Sequence, residues 1–411
     1  MRRTLAGVAL ALVGVLALGA CGFSGDKGAS GTTQLNLLVP IYGDKTKPYW
    51  EQLIKSFQDS NPSITVKLET QSWDDIENVV RTKVQSRQAP DILELDASAV
   101  GYGKEGLLYR ADEIVSPAVL GDIQNTFLDG GKVEGTGYGV PSVASTRALF
   151  YNTDLLARAG VTSPPKTWDE LLSAASKVSA LGDGVSGYGL PLGSEEAQAE
   201  MSIWLYGAGG DWSDGDKITV DTPQALAAAT FMRTLIDRRA TQANPGATDR
   251  TPLINAFIQG KIGMIEGLPP VVGQIKAKNP GLKWAVAPSP TKDGTPSTLG
   301  VADYFVSFKN DGTKQEAIRA FLDFFYRADN YVTFNNNEGF LPATKSGATS
   351  LSDQYLTGFL TTLPNAKFYP SSNPAWKATQ GALKSQAGQI ESKDPKTVLA
   401  EIQAKADAGE K

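Results

Sequence analysis

Residues 35–95 alternate between strand-like and helix-like patterns, and this alternation constrains the fold more than any other feature of the chain. Short apolar or alternating runs at 35–40, 64–68 and 92–95 are typical of strands. Between them, residues 48–57 and 74–87 repeat apolar side chains at helical spacing. A succession of strand, helix, strand, helix and strand predicts an α/β fold built on a mainly parallel sheet.

Polar and aromatic residues follow each of the three predicted strands. Tyr42 and Asp44 come after the first, Trp73 after the second, and Asp96 and Ser98 after the third. Ligands of open α/β sheets bind at the carboxyl ends of the strands. These five residues are therefore candidates for a binding site.

The absence of histidine limits the chemistry that the chain can perform. Its 411 residues include no histidine and one cysteine, Cys21. A Ser-His-Asp triad, a histidine-based zinc site and a histidine general base are excluded. We expect no catalytic residue, no metal and no cofactor, and a fold stabilised by its own core rather than by disulfides. The formal net charge of −5 and the lack of a basic stripe argue against nucleic acid as a partner.

The first 33 residues have the organisation of an exported, anchored protein. Arg2 and Arg3 precede an apolar run at 5–18, and Gly19 and Ala20 stand before Cys21. Residues 18–21 resemble the lipobox of bacterial lipoproteins, so residues 1–20 are predicted to be a signal peptide and Cys21 the lipidated residue. The run is shorter than the roughly 20 residues of a membrane span. Residues 21–33 are predicted to be a flexible tether.

Several short motifs occur in a specific order along the rest of the chain. They lie at 89–96 with 105–108, at 138–141, 151–156 and 165–171, at 256–261 with Met264, and at 339–342. In order and spacing they resemble the extracellular solute-binding lipoproteins of carbohydrate ABC importers, relatives of the maltose-binding protein.

The resemblance implies an architecture and a mode of action. It implies an α/β fold of the periplasmic-binding-protein type, with two lobes, an interlobe ligand cleft and several hinge crossings, near 139–143, 299–304 and 338–344. Lobe one would comprise 34–140 plus 300–338, and lobe two 141–299 plus 339–411. A monomer on the outer face of the cell membrane, held there only by its N-terminal lipid, would capture a sugar and deliver it to the ABC permease subunits.

A neutral sugar calls for aromatic platforms together with carboxylates, amides and hydroxyls. On this logic lobe one contributes Tyr42, Asp44, Trp73, Asp96, Ser98 and Asp303, and lobe two contributes Arg147, Glu195, Trp204, Glu266, Phe340, Tyr369 and Trp376. For Trp204, packing on a helix face at 195–206 is an alternative. In relatives of the maltose-binding protein, aromatic residues that stack on the sugar occupy positions where this chain has Pro40, Ala302 and residues 268–270. The resemblance therefore does not imply that maltodextrin is the ligand.

Three other functions stay open at this point. A binding protein for glycerol phosphate or a related phosphorylated polyol would need several cationic donors in the cleft. A glycoside hydrolase would need paired carboxyl groups across the scissile bond. A lipoprotein with a structural or adhesive role would bind no small solute.

Three local patterns predict structure rather than function. Thr167 and Glu170 have the spacing of a helix capping box. Asp211, Asp214 and Asp216 lack the terminal glutamate of a calcium loop, so Gly215 is predicted to form a hairpin turn. Trp50 lies on the apolar stripe of its helix and is predicted to be in the core.

Overall fold

The computed structural model describes residues 32–73, 75–371 and 373–409. The predicted signal peptide, Cys21 and most of the predicted tether lie outside the described residues. Within the described ranges, no helix is both long enough and apolar enough to cross a membrane.

Strands and helices alternate along most of the chain. The strands are β1 Thr33–Pro40, β2 Ile64–Gln71, β3 Ile92–Asp96, β4 Lys132–Val133, β5 Thr136–Gly137, β6 Val140–Thr146, β7 Ala148–Asn152, β8 Ser186–Gly189, β9 Ser213–Asp214, β10 Lys217–Ile218, β11 Ile262–Gly267, β12 Trp284–Ala287, β13 Thr298–Ser307 and β14 Ala366–Lys367.

The α-helices are α1 Thr46–Ser60, α2 Ile76–Gln85, α3 Ala111–Ile114, α4 Pro117–Asp122, α5 Asn125–Leu128, α6 Thr153–Arg158, α7 Trp168–Ser179, α8 Ala197–Gly207, α9 Pro223–Asp237, α10 Arg250–Ile258, α11 Pro270–Lys278, α12 Gln315–Phe325, α13 Ala328–Glu338, α14 Lys345–Thr349, α15 Gln354–Leu360, α16 Trp376–Gln386 and α17 Pro395–Gly409. Short 3-10 helices include Ala97–Gly103 directly after β3.

The larger sheet contains the three strands predicted near the start of the chain. Its order is β14-β13-β3-β1-β2, and β6 also pairs with β13. β1 runs parallel to β2 and β3, whereas β13 is antiparallel to β3 and β6. The carboxyl ends of β1, β2 and β3 therefore lie at one edge of the sheet. The predicted alternation over 35–95 is confirmed.

The smaller sheet has the order β12-β7-β11-β8. β6 of the larger sheet ends at Thr146 and β7 of the smaller begins at Ala148, so Arg147 alone joins them. Its backbone N–H donates to the carbonyl of Leu299 at 3.1 Å, which ties the junction to β13. The chain thus forms two α/β lobes, one around each sheet, as the sequence predicts. The residue bounds assigned to the lobes stay a prediction.

The three local predictions are confirmed. Trp50 is fully buried and its ring stacks on Phe325 at 5.3 Å. The Thr167 hydroxyl accepts from the backbone N–H of Glu170 at the start of α7, and the Glu170 carboxylate accepts from the N–H of Thr167. Gly215, with φ of +59°, turns the chain between antiparallel β9 and β10.

Candidate functional site

A cleft of about 640 Å³ opens beyond the carboxyl end of β3. One side is formed by the 3-10 helix Ala97–Gly103 and by α2, and the other by residues 368–371 and 373–380, which include the start of α16. Residues 300–302 and Tyr304 of β13 lie between these sides. The structure brings four of the predicted site residues together here, namely Asp96, Ser98, Tyr369 and Trp376.

Asp96 occupies the junction between β3 and the 3-10 helix. Its Oδ1 accepts a hydrogen bond from the backbone N–H of Ser98 at 3.0 Å, and the Ser98 hydroxyl donates to the same oxygen. The carboxylate therefore caps the helix and is fixed in orientation. Burial raises the pKa of Asp96, although the bonds from Ser98 oppose this effect. Among the described residues no hydrogen bond reaches the other oxygen, Oδ2, so its lone pairs can accept from a ligand hydroxyl.

Aromatic rings form the lobe-two side of the cleft. Tyr369 stacks on Trp376 with a centroid separation of 5.2 Å and an interplanar angle of 25°. Phe368 lies against Gly300, where a Cβ atom would come within 2.7 Å of the ring, so the ring can approach only because this residue is glycine. Trp376 is 4% exposed and also contacts Trp212. It reaches the cleft and also belongs to the core of lobe two, and its contact with a ligand stays a prediction.

The formal charges around the cleft balance. Four acidic side chains and four basic ones line it, namely Glu77, Asp96, Glu105, Asp129, Arg81, Lys104, Lys132 and Lys377. Three of the cations are engaged in ion pairs: Lys377 with Glu77, Lys132 with Asp129 at 2.7 Å, and Lys104 with Glu134 at 3.6 Å. The first of these pairs joins α16 to α2 across the cleft. A cleft with paired cations offers little uncompensated positive charge for a phosphate group.

A second group of predicted residues lies beside the cleft, at the end of β1. The half-buried Tyr42 donates its hydroxyl hydrogen to Oδ2 of Asp303 at 2.7 Å. Its ring meets Phe340 edge-on at 5.1 Å and Trp73 at 5.7 Å. Asp303 stands opposite Asp96 in the pairing of β13 with β3, which places this group next to the cleft. Trp73 is 40% exposed, and Asp44 is also exposed.

Two buried carboxyl groups near Tyr42 are absent from the sequence-based candidates. Glu94 is fully buried in β3 and Glu338 is 9% exposed at the end of α13. Burial raises the pKa of Asp303 to about 7 and that of Glu338 to about 6, and it holds the pKa of Glu94 well above its usual value. The signal for Glu94 was present in the sequence, because it interrupts the apolar run 92–95.

In lobe two the adjacent residues Glu195 and Glu196 have different partners, and the predicted ligand contact of Glu195 stays a prediction. Glu195 is exposed and its carboxylate accepts from the backbone N–H of Thr251 at 3.0 Å, so it caps the start of α10. Its neighbour Glu196 instead bonds Arg147 at 2.8 Å and Arg250 at 2.5 Å. Burial favours the neutral form of Glu196, but Arg147 and Arg250 outweigh burial and lower its pKa. The charges of Arg147, Glu196 and Arg250 also influence the pKa of Tyr369, which burial raises.

Arg147, Trp204 and Glu266 are held inside lobe two rather than presented to the cleft. Arg147 is 2% exposed. Trp204 is fully buried, packs against Trp168 and Phe231, and donates from Nε1 to Glu200 at 3.0 Å. Glu266 is 1% exposed and accepts from the Ser289 hydroxyl at 2.7 Å. The surfaces of the three side chains are covered by protein in this structure, and their direct contact with a ligand stays a prediction.

The two lobes and the cleft between them define a binding protein that holds a solute between its halves. The chain belongs to the bacterial extracellular solute-binding protein family, which it matches over residues 43–332. This finding confirms the resemblance seen in the sequence motifs.

Individual relatives and a solved structure agree with this assignment. The chain is 34% identical over 426 residues to a protein of Brucella abortus (strain 2308) that is named as a binding protein, covering 99% of this chain and 98% of the relative. It is 25% identical to the diacetylchitobiose binding protein DasA of Streptomyces coelicolor, over 78% of this chain and 77% of the relative. Its fold is similar to that of the sugar-binding protein MalE from Xanthomonas citri, with a TM-score of 0.79, 19% identity, and coverage of 92% of this chain and 97% of that one.

Proposed function

We propose that this protein captures an uncharged sugar or short oligosaccharide outside the cell and delivers it to the permease of an ABC importer. The observation that carries the proposal is the composition of the cleft. It has stacked aromatic rings on one side and an oriented carboxylate on the other, and three of its four cations are in ion pairs. Sugar-binding relatives such as DasA support the same ligand class.

The cleft can serve both chemical faces of a sugar. The apolar C–H face of a pyranose stacks on an aromatic ring, and Tyr369 is the ring most available because Trp376 lies behind it. The hydroxyl edge donates hydrogen bonds to carboxylates, for which Asp96 is positioned across the cleft. Exposed Trp73, whose ring contacts Tyr42, would extend the aromatic surface for a longer ligand.

Capture requires the lobes to move. The proposed lobes are 34–140 plus 300–338 and 141–299 plus 339–411, with crossings near 139–143, 299–304 and 338–344. Closure about these crossings would bury the ligand, and the permease would bind the closed form. The ligand leaves chemically unchanged, and the protein acts as a monomer without a metal or cofactor.

Anchoring at the membrane is a separate part of the proposal. Cys21, after signal-peptide cleavage, would carry the lipid and hold the two lobes on the outer face of the cell membrane. Replacement of Cys21 by serine should release the protein into the medium, and metabolic labelling with radioactive palmitate should mark the wild-type chain but not the variant. Retention of Cys21→Ser in the membrane fraction would contradict the anchor.

Ligand binding is tested by thermal shift and calorimetry with the full chain. The probes are maltose, N,N′-diacetylchitobiose, D-tagatose and sn-glycerol 3-phosphate. We expect at least one sugar to raise the melting temperature and glycerol phosphate to leave it unchanged. A shift with glycerol phosphate alone would favour the phosphorylated-polyol alternative, and chromatographic detection of cleaved diacetylchitobiose would favour an enzyme.

Two tyrosine variants test whether the sugar binds in the cleft. Tyr369→Ala removes the ring stacked on Trp376 in the cleft, whereas Tyr355→Ala removes a ring that stacks on Trp284 at 4.0 Å outside it. We expect the first variant to lose the thermal shift given by the sugar and the second to keep it. Equal loss in both would show that the cleft is not where the sugar binds.

A further inference from the structure

A groove of about 960 Å³ lies at the amino edge of the larger sheet, at the other end of its strands from the sugar cleft. It is formed by parts of β1 and β2, by the end of α2, and by residues 89–91 and 308–311, which flank the pairing of Ile92 in β3 with Ser307 in β13. The cleft instead lies around Asp96, where β3 ends. No described residue lines both, so the sugar-binding function proposed above does not account for the groove.

Positive charge exceeds negative charge along the groove. Five cations and three carboxylates line it, namely Lys67, Lys83, Arg87, Lys309, Lys314, Glu69, Asp91 and Asp311. Two of the cations are in ion pairs of 2.9 Å with two of the carboxylates. In the part of the chain that the structure describes, the other three cations, Lys67, Arg87 and Lys309, form no ion pair, and all three are exposed. The groove thus carries an excess of two positive charges on a chain whose formal net charge is −5.

The predicted membrane tether joins the body of the protein at this same edge. β1 begins at Thr33, and Asn36, which lines the groove, follows three residues later, or about 10 Å along a strand. Residues 22–32 separate Thr33 from Cys21. Gly- and Ser-rich chains of this length span roughly 20 Å on average. A lipid on Cys21 would therefore hold the amino edge of lobe one close to the bilayer and leave the cleft farther away.

We propose that this groove seats lobe one on the phosphate headgroups of an anionic phospholipid bilayer. The proposal rests on the lipid anchor proposed above, because the tether supplies the high local concentration that a weak surface contact needs. Each Lys or Arg close to an anionic bilayer strengthens binding by about fivefold. Three free cations are therefore sufficient for a tethered body, although a freely diffusing one would associate weakly. Since the groove and the cleft lie at opposite ends of the strands, the seated protein keeps its cleft uncovered.

The test rebuilds the tether chemically, so it does not depend on acylation in the cell. Residues 21–411 contain every described element and one thiol, that of Cys21, which is coupled to a maleimide-bearing lipid in vesicles. The vesicles consist of phosphatidylcholine alone or of phosphatidylcholine mixed with phosphatidylglycerol. A water-soluble reagent then acetylates the lysines in the absence of sugar, and mass spectrometry gives the rate at each one.

The lysines of the groove should respond to the lipid composition. We expect Lys67 and Lys309 to react severalfold more slowly on the anionic vesicles than on the neutral ones, and high salt should abolish the difference. Exposed Lys217 of lobe two is the internal control and should react equally on both. Equal rates at Lys67 and Lys309 on the two kinds of vesicle would overturn the proposal. Equal slowing by free sn-glycerol 3-phosphate without vesicles would also overturn it, in favour of a site for a soluble phosphate.

Two arginines with the same local structure provide matched variants. Arg87 and Arg239 each lie two residues beyond the end of a helix, α2 and α9, with φ of +57° and +54°. Both side chains are exposed, but only Arg87 lines the groove. Glycine adopts this left-handed conformation without strain, so Arg87→Gly and Arg239→Gly should both stay folded.

The two variants should differ on anionic vesicles. Arg87→Gly should weaken the seating equilibrium by about fivefold, as read from the rates at Lys67 and Lys309, whereas Arg239→Gly should behave as the wild type. If Arg87→Gly protects the two lysines as fully as the wild type does, the groove is not the seat. Because no sugar is present and the tether is chemical, failure of sugar capture or of acylation would leave this result interpretable.

Discussion

Arg250, the first residue of α10, forms a 2.9 Å ion pair with Glu200 in the first turn of α8, and both side chains are buried. Arg250 also donates to the backbone carbonyl of Glu266 at 2.9 Å, while Tyr188 donates to Glu200 at 2.7 Å. These contacts connect α8, α10, β8 and β11 within lobe two. Glu196 links Arg250 to Arg147 through ion pairs with both, so Arg147 belongs to the same buried network of lobe two.

Removal of Arg250 should destabilise the protein strongly. Arg250→Ala leaves Glu200 buried without its cation, and breaking a buried pair in this way costs about 3–5 kcal/mol. We expect the urea midpoint of lobe two to fall accordingly, as followed by tryptophan fluorescence. Arg158→Ala, which removes an exposed pair with Asp183 at 3.2 Å, is the control and should cost less than about 1 kcal/mol. Similar losses in the two variants would contradict the structural role of Arg250.

The stability of the protein should depend on the charge of Glu266. Burial raises the pKa of this carboxyl to about 8, so between pH 4.5 and pH 8 the folded chain keeps a proton that the unfolded chain has released. The free energy of unfolding therefore decreases as the pH rises through this window and levels off above it. Glu266→Gln should be more stable than the wild type at pH 8 by about 1–3 kcal/mol and nearly equal to it at pH 4.5. Equal urea midpoints at pH 8 would contradict the raised pKa.

The ion pair between Lys377 and Glu77 should lengthen the residence time of a bound sugar. Lys377→Ala removes the contact between α16 and α2 across the cleft. Because both side chains are substantially exposed, the expected effect is modest, about two- to fivefold in the dissociation rate. Lys393→Ala, which breaks an exposed pair with Glu401 away from the cleft, should leave the rate unchanged. The dissociation rate is measured by stopped-flow with the sugar found in the thermal-shift screen. An unaltered rate in Lys377→Ala would show that the ion pair does not help to keep the cleft closed.

Adjacent glutamates in lobe two should respond differently to the same substitution. Glu196→Gln removes the negative charge that Arg147 and Arg250 share behind Tyr369, so sugar affinity should fall. Glu195→Gln changes only a cap of α10 and should cost about 1 kcal/mol of stability or less without a change in affinity. Calorimetric titration with the same sugar separates the two outcomes. A larger loss of affinity in Glu195→Gln would instead support the contact between Glu195 and the ligand that the sequence predicts.

Trp376 should matter for stability as well as for binding. Its ring is 4% exposed and contacts both Trp212 and Tyr369, so Trp376→Ala opens a large cavity in lobe two and should cost about 3–5 kcal/mol. Trp376→Phe keeps most of the packing and should cost clearly less. A thermal scan without ligand is sufficient. An unliganded melting temperature that does not change in Trp376→Ala would show that the ring is not part of the core.

Local sequence patterns were sufficient to predict the first five elements of the chain and two of the lobe-one residues that line the cleft. Apolar periodicity predicted β1, α1, β2, α2 and β3, and the rule for parallel strands predicted Asp96 and Ser98 at the cleft. The motif order predicted the family and the two-lobed fold. These features depend on residues that are close in sequence or that belong to one sheet. They can therefore be predicted from the sequence alone.

The positions of lobe-two side chains depend instead on contacts between residues far apart in sequence. Whether Glu195 or Glu196 meets Arg147 depends on how α8 starts relative to α10, and whether Trp204 faces solvent or Phe231 depends on the docking of α9. The cluster of Glu94, Asp303 and Glu338 unites residues up to 244 positions apart, because β13 and α13 return to the first sheet. The sequence by itself determined the first five elements, the two-lobed fold and the family through local periodicity and motif order. Only the tertiary structure decided which carboxyl groups are buried together and which rings reach the cleft, since burial and charge pairing arise when distant segments pack.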